Sequence, residues 1–386
     1  MPQGGRIAGD PFFLWKPLPD LHRPDFPYHR GLNLSIRRHR PPPPFGITGY
    51  LKGPERQESP PEPLRQVTQS EWCLQHPPAN TLPHHDSSEH QLYIIDEIAC
   101  EDGRGPQLVR CCLDEDNSQT YAAKIYDPLY YSYADRGFGT PVDVTWLADQ
   151  HYSRECAAYE DLSQAEVDGI LVPKYYGSWT FNMPLKQSQD VRPVRMVLME
   201  WISGFSMQSL IDRQKVRHFS PEERLCILAK AMEVECYINF HGVRHGDFAP
   251  RNIMLEPSVD AQNHRVLLID FNYSSTFSRP NCKWKRQNAT RPTSPRYRYW
   301  GPCPNDFFLW VPEPHRSRPA AFQGWLKSQW EHSEKFADRA EVNLRPYFNY
   351  DEPAEMVPPQ PDVTQGHSKR FCVAVSGKSS VYIDSY

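Results

Sequence analysis

Two short stretches carry the residues best suited to chemistry. In the first, residues 243–255, an ionisable Asp247 stands five residues before an amide, Asn252, and an apolar run follows. In the second, the apolar run Val266-Leu267-Leu268-Ile269 ends in Asp270, eighteen residues past Asn252. A carboxylate can orient a hydroxyl and take its proton. An amide oxygen and a second carboxylate are hard ligands suited to Mg²⁺. Together these are the parts needed to move a phosphoryl group from ATP to a hydroxyl.

Such residues need elements to hold them. Residues 92–98, 107–113 and 121–126 read as three short antiparallel strands, with Glu101-Asp102-Gly103-Arg104-Gly105-Pro106 as the first turn. Further strands are expected over 172–179 and 194–202, and a helix over 144–164 marked by Trp146, Tyr152, Ala157, Ala158, Tyr159 and Leu162. Ser220-Pro221-Glu222-Glu223 is a capping box with Pro at the first helical position. The apolar helix it opens spans roughly 30 Å. Gly242 ends that helix and delivers the chain to His245 and Asp247.

Composition narrows the alternatives. The chain has 386 residues, 39% of them apolar, enough for two domains or one large bilobal one. A net charge of -4 argues against a general nucleic-acid binder, whose footprint is basic. No apolar run approaches the roughly 18 residues of a membrane span, and residues 1–10 lack the apolar core of a signal peptide. The ten cysteines show no C-x-x-C pair, which fits reduced thiols in an intracellular, cytoplasmic protein. Residues 1–88, with Pro41-Pro42-Pro43-Pro44 and Pro60-Pro61-Glu62-Pro63, read as a disordered, Pro-rich arm open to a partner. Within it, Phe12-Phe13-Leu14-Trp15 is echoed by Phe307-Phe308-Leu309-Trp310, either as two independent turns into the core or as two segments sharing one docking groove.

The ordered pair of motifs resembles the protein-kinase catalytic loop, H-R-D-x-x-x-x-N, followed by D-F-G. The resemblance implies an α+β, bilobal fold over 89–345. Its N-lobe is small and strand-rich (89–202), its C-lobe is mainly helical and short for the family (203–345), and an irregular tail (346–386) follows. It also implies ATP and Mg²⁺ as cofactors, with a protein substrate or a small-molecule hydroxyl as acceptor. By the same likeness Asp247 is the base, and Asn252 and Asp270 hold Mg²⁺. Lys124, in Ala-Ala-Lys-Ile, pairs with Glu155 to position phosphates, with Glu160 as the other candidate. Gly103 and Gly105 belong to a partial Gly-rich loop whose third position is Leu108. Met199 backs the adenine, the main chains of Glu200 and Ile202 bond its edge, and His245 packs the loop.

Several positions depart from the pattern. Gly246 replaces the usual Arg, as in aminoglycoside- and choline-type kinases, so control through an activation-loop phosphate at that Arg is not expected. Ala249 replaces the Lys of Ser/Thr kinases, and Arg251 is reminiscent of tyrosine kinases. Asn272 stands for the last Gly of D-F-G, a mild change because Asn tolerates a left-handed backbone. Residues 273–312 resemble a basic activation segment, and Val311-Pro312-Glu313 a weak A-P-E. The expected function is an ATP-dependent phosphotransferase, with a small-molecule kinase or a nucleotide-binding pseudokinase scaffold as alternatives.

Overall fold

A computed structural model describes residues 15–46, 49–51, 57–79, 88–135, 139–186, 188–257, 264–286 and 289–337. The first part runs β1 (Asn33–Arg38), α1 (Pro61–Leu64), α2 (Gln69–Gln75), β2 (Glu89–Ala99), β3 (Gln107–Leu113), β4 (Asp116–Tyr126), α3 (Val144–Gln164), β5 (Tyr175–Pro184) and β6 (Val191–Glu200). It continues through β7 (Phe205–Ser206), α4 (Met207–Asp212), α5 (Pro221–Phe240), β8 (Val243–Arg244), β9 (Ile253–Glu256), β10 (Arg265–Leu268), β11 (Ser275–Thr276), α6 (Pro295–Arg298) and α7 (Pro319–Trp330). The architecture is mixed α/β. Six antiparallel strands close on themselves in the order β1-β2-β3-β4-β6-β5, and small sheets β10-β9-β7 and β11-β8 accompany the later helices.

Strand alternation explains the barrel. In β4, Ala123 and Ile125 point into a core with Leu92, Val109, Met196 and Leu198, whereas Ala122 and Tyr126 point out toward α3. Lys124 shares their outward face. Asp143 caps α3 by accepting the Trp146 amide at 3.1 Å. Every residue from Ala148 to Tyr159 is buried, as expected of a helix covered on all sides. The capping box of α5 forms in both directions, Glu223 N–H to Ser220 Oγ at 3.1 Å and Ser220 N–H to Glu223 Oε2 at 2.6 Å. Gly242, at φ 93°, provides the left-handed exit from that helix.

The expectation of a disordered arm over 1–88 fails wherever the arm is described. Tyr28, Leu34, Ile36, Tyr50, Leu64 and Trp72 are buried. β1 pairs with β2 and, through Arg37↔Thr180 and Arg38↔Trp179, with β5, so it is the strand that closes the barrel. Proline did not prevent this. Pro61 occupies the first turn of α1, where its missing N–H costs nothing. Residues 44–46 and 49–51 form a strap: Arg154 Nε of α3 donates to Phe45 O at 2.8 Å, and Leu51 N–H to Asn281 O at 2.7 Å.

The tryptophans of the repeated Phe-Phe-Leu-Trp motif occupy two separate sites. Trp310 is fully buried and donates through Nε1 to Arg224 O at 2.9 Å. Trp15 packs edge-on against Tyr133 at 5.7 Å, on the barrel core, while Phe12, Phe13 and Leu14 lie outside the described residues. The tail expected at 346–386 also lies outside them. Among the described residues no helix is long and apolar enough to cross a membrane.

Candidate active site

Lys124 leaves β4 toward α3 and meets three oxygens. Nζ donates to Glu155 Oε2 at 2.5 Å, Asp270 Oδ1 at 2.9 Å and Asn272 Oδ1 at 3.0 Å. Three acceptors satisfy all three ammonium protons, which burial requires. Burial alone would lower the Lys124 pKa, but Asp270 and Glu155 reverse the effect and raise it. Burial would likewise raise the Asp270 carboxyl, yet Lys124 carries it down to about 2. The lysine and Asp270 are therefore held charged at neutral pH.

Glu155 lies wholly inside, on the buried face of α3. Tyr126 OH donates to the same Oε2 at 2.6 Å, so that oxygen carries two donors. Oε1 is buried and accepts none among the described residues. Glu160 is excluded as the lysine's partner because Arg279 Nη2 takes it at 2.9 Å.

Asp247 sits on a loop stitched to the chain that runs from β10 into Asp270. His245 Nε2 lies 2.9 Å from Ile269 O, and the Asp247 amide donates to His245 Nδ1 at 3.3 Å, which together fix one tautomer. Burial lowers the His245 pKa, so the ring stays neutral and braces the loop. Ile269 N–H returns the link to Asn252 O at 3.0 Å. Asn252 Nδ2 donates to Asp247 O at 2.9 Å and Oδ2 at 2.8 Å, which turns its Oδ1 away from that carboxylate. Arg251 Nη2 holds the other oxygen, Oδ1, at 2.5 Å.

Gly246 has a steric reason to be glycine. Its φ is 84°, and a Cβ there would lie 2.3 Å from Tyr273 O. The carbonyl of Tyr273 fills the space where any side chain at this position would begin.

The turn of Gly103 (φ 77°) and Gly105 (φ 113°) is locked rather than loose. Buried Gln107 accepts the Glu101 amide at 2.8 Å and donates to Glu101 O at 3.0 Å and Gly105 O at 2.8 Å. Gly103 N–H also donates to Tyr130 O at 3.0 Å. Arg104, half-buried in this turn, is held below its usual pKa by burial, partly offset by the Asp270 charge. Residues 128–131, to which sequence reading assigned no role, thus brace the turn.

The expected base-binding edge is only partly open. Met199 is buried beneath Tyr159, whose OH lies 3.6 Å from its Sδ. Glu200 N–H donates to Lys174 O at 2.8 Å, and the Glu200 carboxylate accepts Arg265 at 2.7 Å. Ile202 O accepts from Gly204 N–H at 3.0 Å. A ligand edge would have to use the Glu200 carbonyl and the Ile202 amide.

Sequence reasoning missed Tyr126, Gln107 and His151. Tyr126 was recoverable, since two residues along a strand return to the face of Lys124. His151 was too: it lies four residues before Glu155, on the same face of α3. Its Nδ1 is buried without a hydrogen-bond partner among the described residues. No protein-family model matches this chain, and no curated protein is found to be similar to it.

Proposed function

We propose that this chain is an ATP- and Mg²⁺-dependent phosphotransferase with a bilobal protein-kinase-like fold, acting on protein hydroxyls. The observation that carries the reading is the convergence of Glu155, Asp270 and Asn272 on the Lys124 ammonium. The barrel with α3 corresponds to the smaller lobe, and α5 with the small sheets to the larger. Lys124, kept charged by its carboxylates, has the chemistry to hold phosphate oxygens.

Among the described residues no group of three or more His, Cys, Asp or Glu could hold a metal. A cation here would rest on Asp270 and the Asn252 Oδ1, with phosphates and water completing its shell, the usual manner for Mg²⁺. Bound Mg²⁺ would neutralise charge developing on the transferred group. Asp247 orients the acceptor hydroxyl and takes its proton as the new O–P bond forms and the β–γ bridging bond of ATP breaks. Arg251 must give up part of its hold on Asp247 to admit that hydroxyl.

A small-molecule acceptor is the second reading, favoured by the His245-Gly246-Asp247 order and the close seat of Gly246 on Tyr273 O. Purified protein with γ-labelled ATP, a generic protein mixture and a panel of amino-alcohol metabolites separates the two. Label in protein supports the first reading and label in a metabolite the second. Nucleotide binding without transfer to either identifies a scaffold instead.

A further inference from the structure

Asn272 stands two residues past Asp270, and its backbone does not account for its side chain. The left-handed residue of this turn is Asp270, at φ 65°, so the tolerance of asparagine for that conformation is not what position 272 uses. The amide is used instead. Asn272 is buried, and its Oδ1 accepts the Lys124 ammonium at 3.0 Å. An ammonium can only donate, so the atom facing it is the amide oxygen, which fixes the orientation of the group.

That orientation leaves the nitrogen over. Asn272 Nδ2 makes no hydrogen bond among the described residues, yet it is not sealed away as Glu155 Oε1 is. The cluster opens on this side: the Asp270 side chain is 38% exposed, against 11% for Lys124 and 1% for Glu155. Bond lengths put the oxygen and nitrogen of an amide about 2.3 Å apart, so Nδ2 lies within about 5.3 Å of Nζ. One phosphate group can accept from two donors at that separation. Asn252, the other amide of the site, is turned the opposite way. It spends its Nδ2 on Asp247 and presents its oxygen, as suits a cation, whereas Asn272 presents a donor, as suits an anion.

On the phosphotransferase reading, we infer that Asn272 is a nucleotide-binding residue that keeps its Oδ1 on Lys124 and donates Nδ2 to a phosphate oxygen of ATP. The handover is stepwise and leaves no buried proton unpaired. Asp270 turns to the cation, Glu155 and Asn272 keep their hold on the ammonium, and the proton that Asp270 releases goes to the same phosphate. One phosphate is then held by an ammonium and an amide side by side.

The test is calorimetric binding of ATP in EDTA, ATP with Mg²⁺, and adenosine to the full chain. Asn272→Ala removes the donor and should weaken ATP in EDTA by roughly tenfold or more, the worth of a hydrogen bond to a charged group, while adenosine binds as before. If Asn272 only tethered Lys124, its loss would free an ammonium proton and ATP would bind equally well or tighter. That result overturns the proposal. Asn272→Asp keeps an acceptor on Lys124, which guards against a folding failure, but has no donor. It should lose at least as much affinity in EDTA and regain part with Mg²⁺, because the new carboxylate is a hard ligand. Equal losses for ATP and adenosine in both variants would place the effect at the base and overturn the contact. A wild type that binds ATP without transferring phosphate sinks the phosphotransferase reading and leaves the contact standing. Transfer by the wild type, with ATP affinity unchanged in both variants, sinks the contact alone.

Discussion

The Tyr50 hydroxyl accepts the main-chain N–H of Thr276 at 2.9 Å, joining the N-terminal strap to the segment that follows Asp270. On its other side the strap is bonded to Arg154, the neighbour of Glu155. The strap therefore couples the helix bearing one partner of Lys124 to the chain bearing two others. Tyr50→Phe would strand a buried N–H, at a cost of about 1–3 kcal/mol. Gly49→Ala should act similarly, because a Cβ there meets Ser275 Oγ at 2.0 Å. Both variants are expected to speed hydrogen exchange over 275–283, while Gly324→Ala, whose Cβ meets nothing within 4 Å, should not. Unchanged exchange in both strap variants would show that the segment is held by other contacts.

Gly246 offers a separate check on the loop. Gly246→Ala must accept a left-handed backbone and a clash with Tyr273 O. Such strain costs on the order of 1–3 kcal/mol. Denaturant unfolding should register that loss, and phosphate transfer should fall further than stability alone explains, because Asp247 is the next residue. Full stability in Gly246→Ala would mean that the two segments are not in contact.

His151 should leave a mark on the pH dependence of stability. Burial and the Lys124 charge hold its ring far below the usual range, at about 3. The unfolded chain takes up that proton near pH 6.5, so folding loses free energy as pH falls from there toward about 3. The sign is that of a depressed pKa: stability is fully present above pH 6.5 and declines below it. His151→Gln should flatten the slope of melting temperature against pH between about 6 and 4. A slope identical to the wild type would place the ring in water.

Lys124 gathers three oxygens, those of Glu155 and Asn272 buried, so its removal has two readouts. Lys124→Ala should lower the stability of the nucleotide-free protein by about 3–5 kcal/mol, the usual consequence of breaking a buried pair from one side. It should also shrink the stabilisation by Mg·ATP, which for an intact site at a hundred times the dissociation constant is about 2.7 kcal/mol. A calorimetric scan with and without nucleotide reads both. An undiminished ligand shift would move the phosphates elsewhere.

Much of this site could be read from local pattern. Val144–Gln164 and Pro221–Phe240 are helices because Asp143 and Ser220 cap them, signals contained within a few residues. The meeting of Lys124 with Glu155 followed from a resemblance that assigns each a place on its element. The strap and β1 were hidden for a physical reason. Asn33–Arg38 alternates buried and exposed over only six residues amid prolines, and its partners Tyr93 and Trp179 lie 60 or more residues away. Such pairing is decided by tertiary contacts, not by local propensity. The lock on the 101–106 turn was hidden likewise, since nothing in Gln107 itself announces three hydrogen bonds to the main chain.

The most direct test of the account is the rate of γ-phosphate transfer by Asp247→Asn beside the wild type, with ATP affinity measured on the same samples. The wild type should transfer label. Asp247→Asn should keep ATP affinity within a few-fold while losing about 10²–10⁴ in rate, the worth of a positioned base. Asp270→Asn, as a companion, should lose Mg²⁺-dependent ATP binding together with turnover. A wild type that transfers label, paired with an Asp247→Asn protein that transfers it just as fast, would contradict the assignment of the catalytic loop.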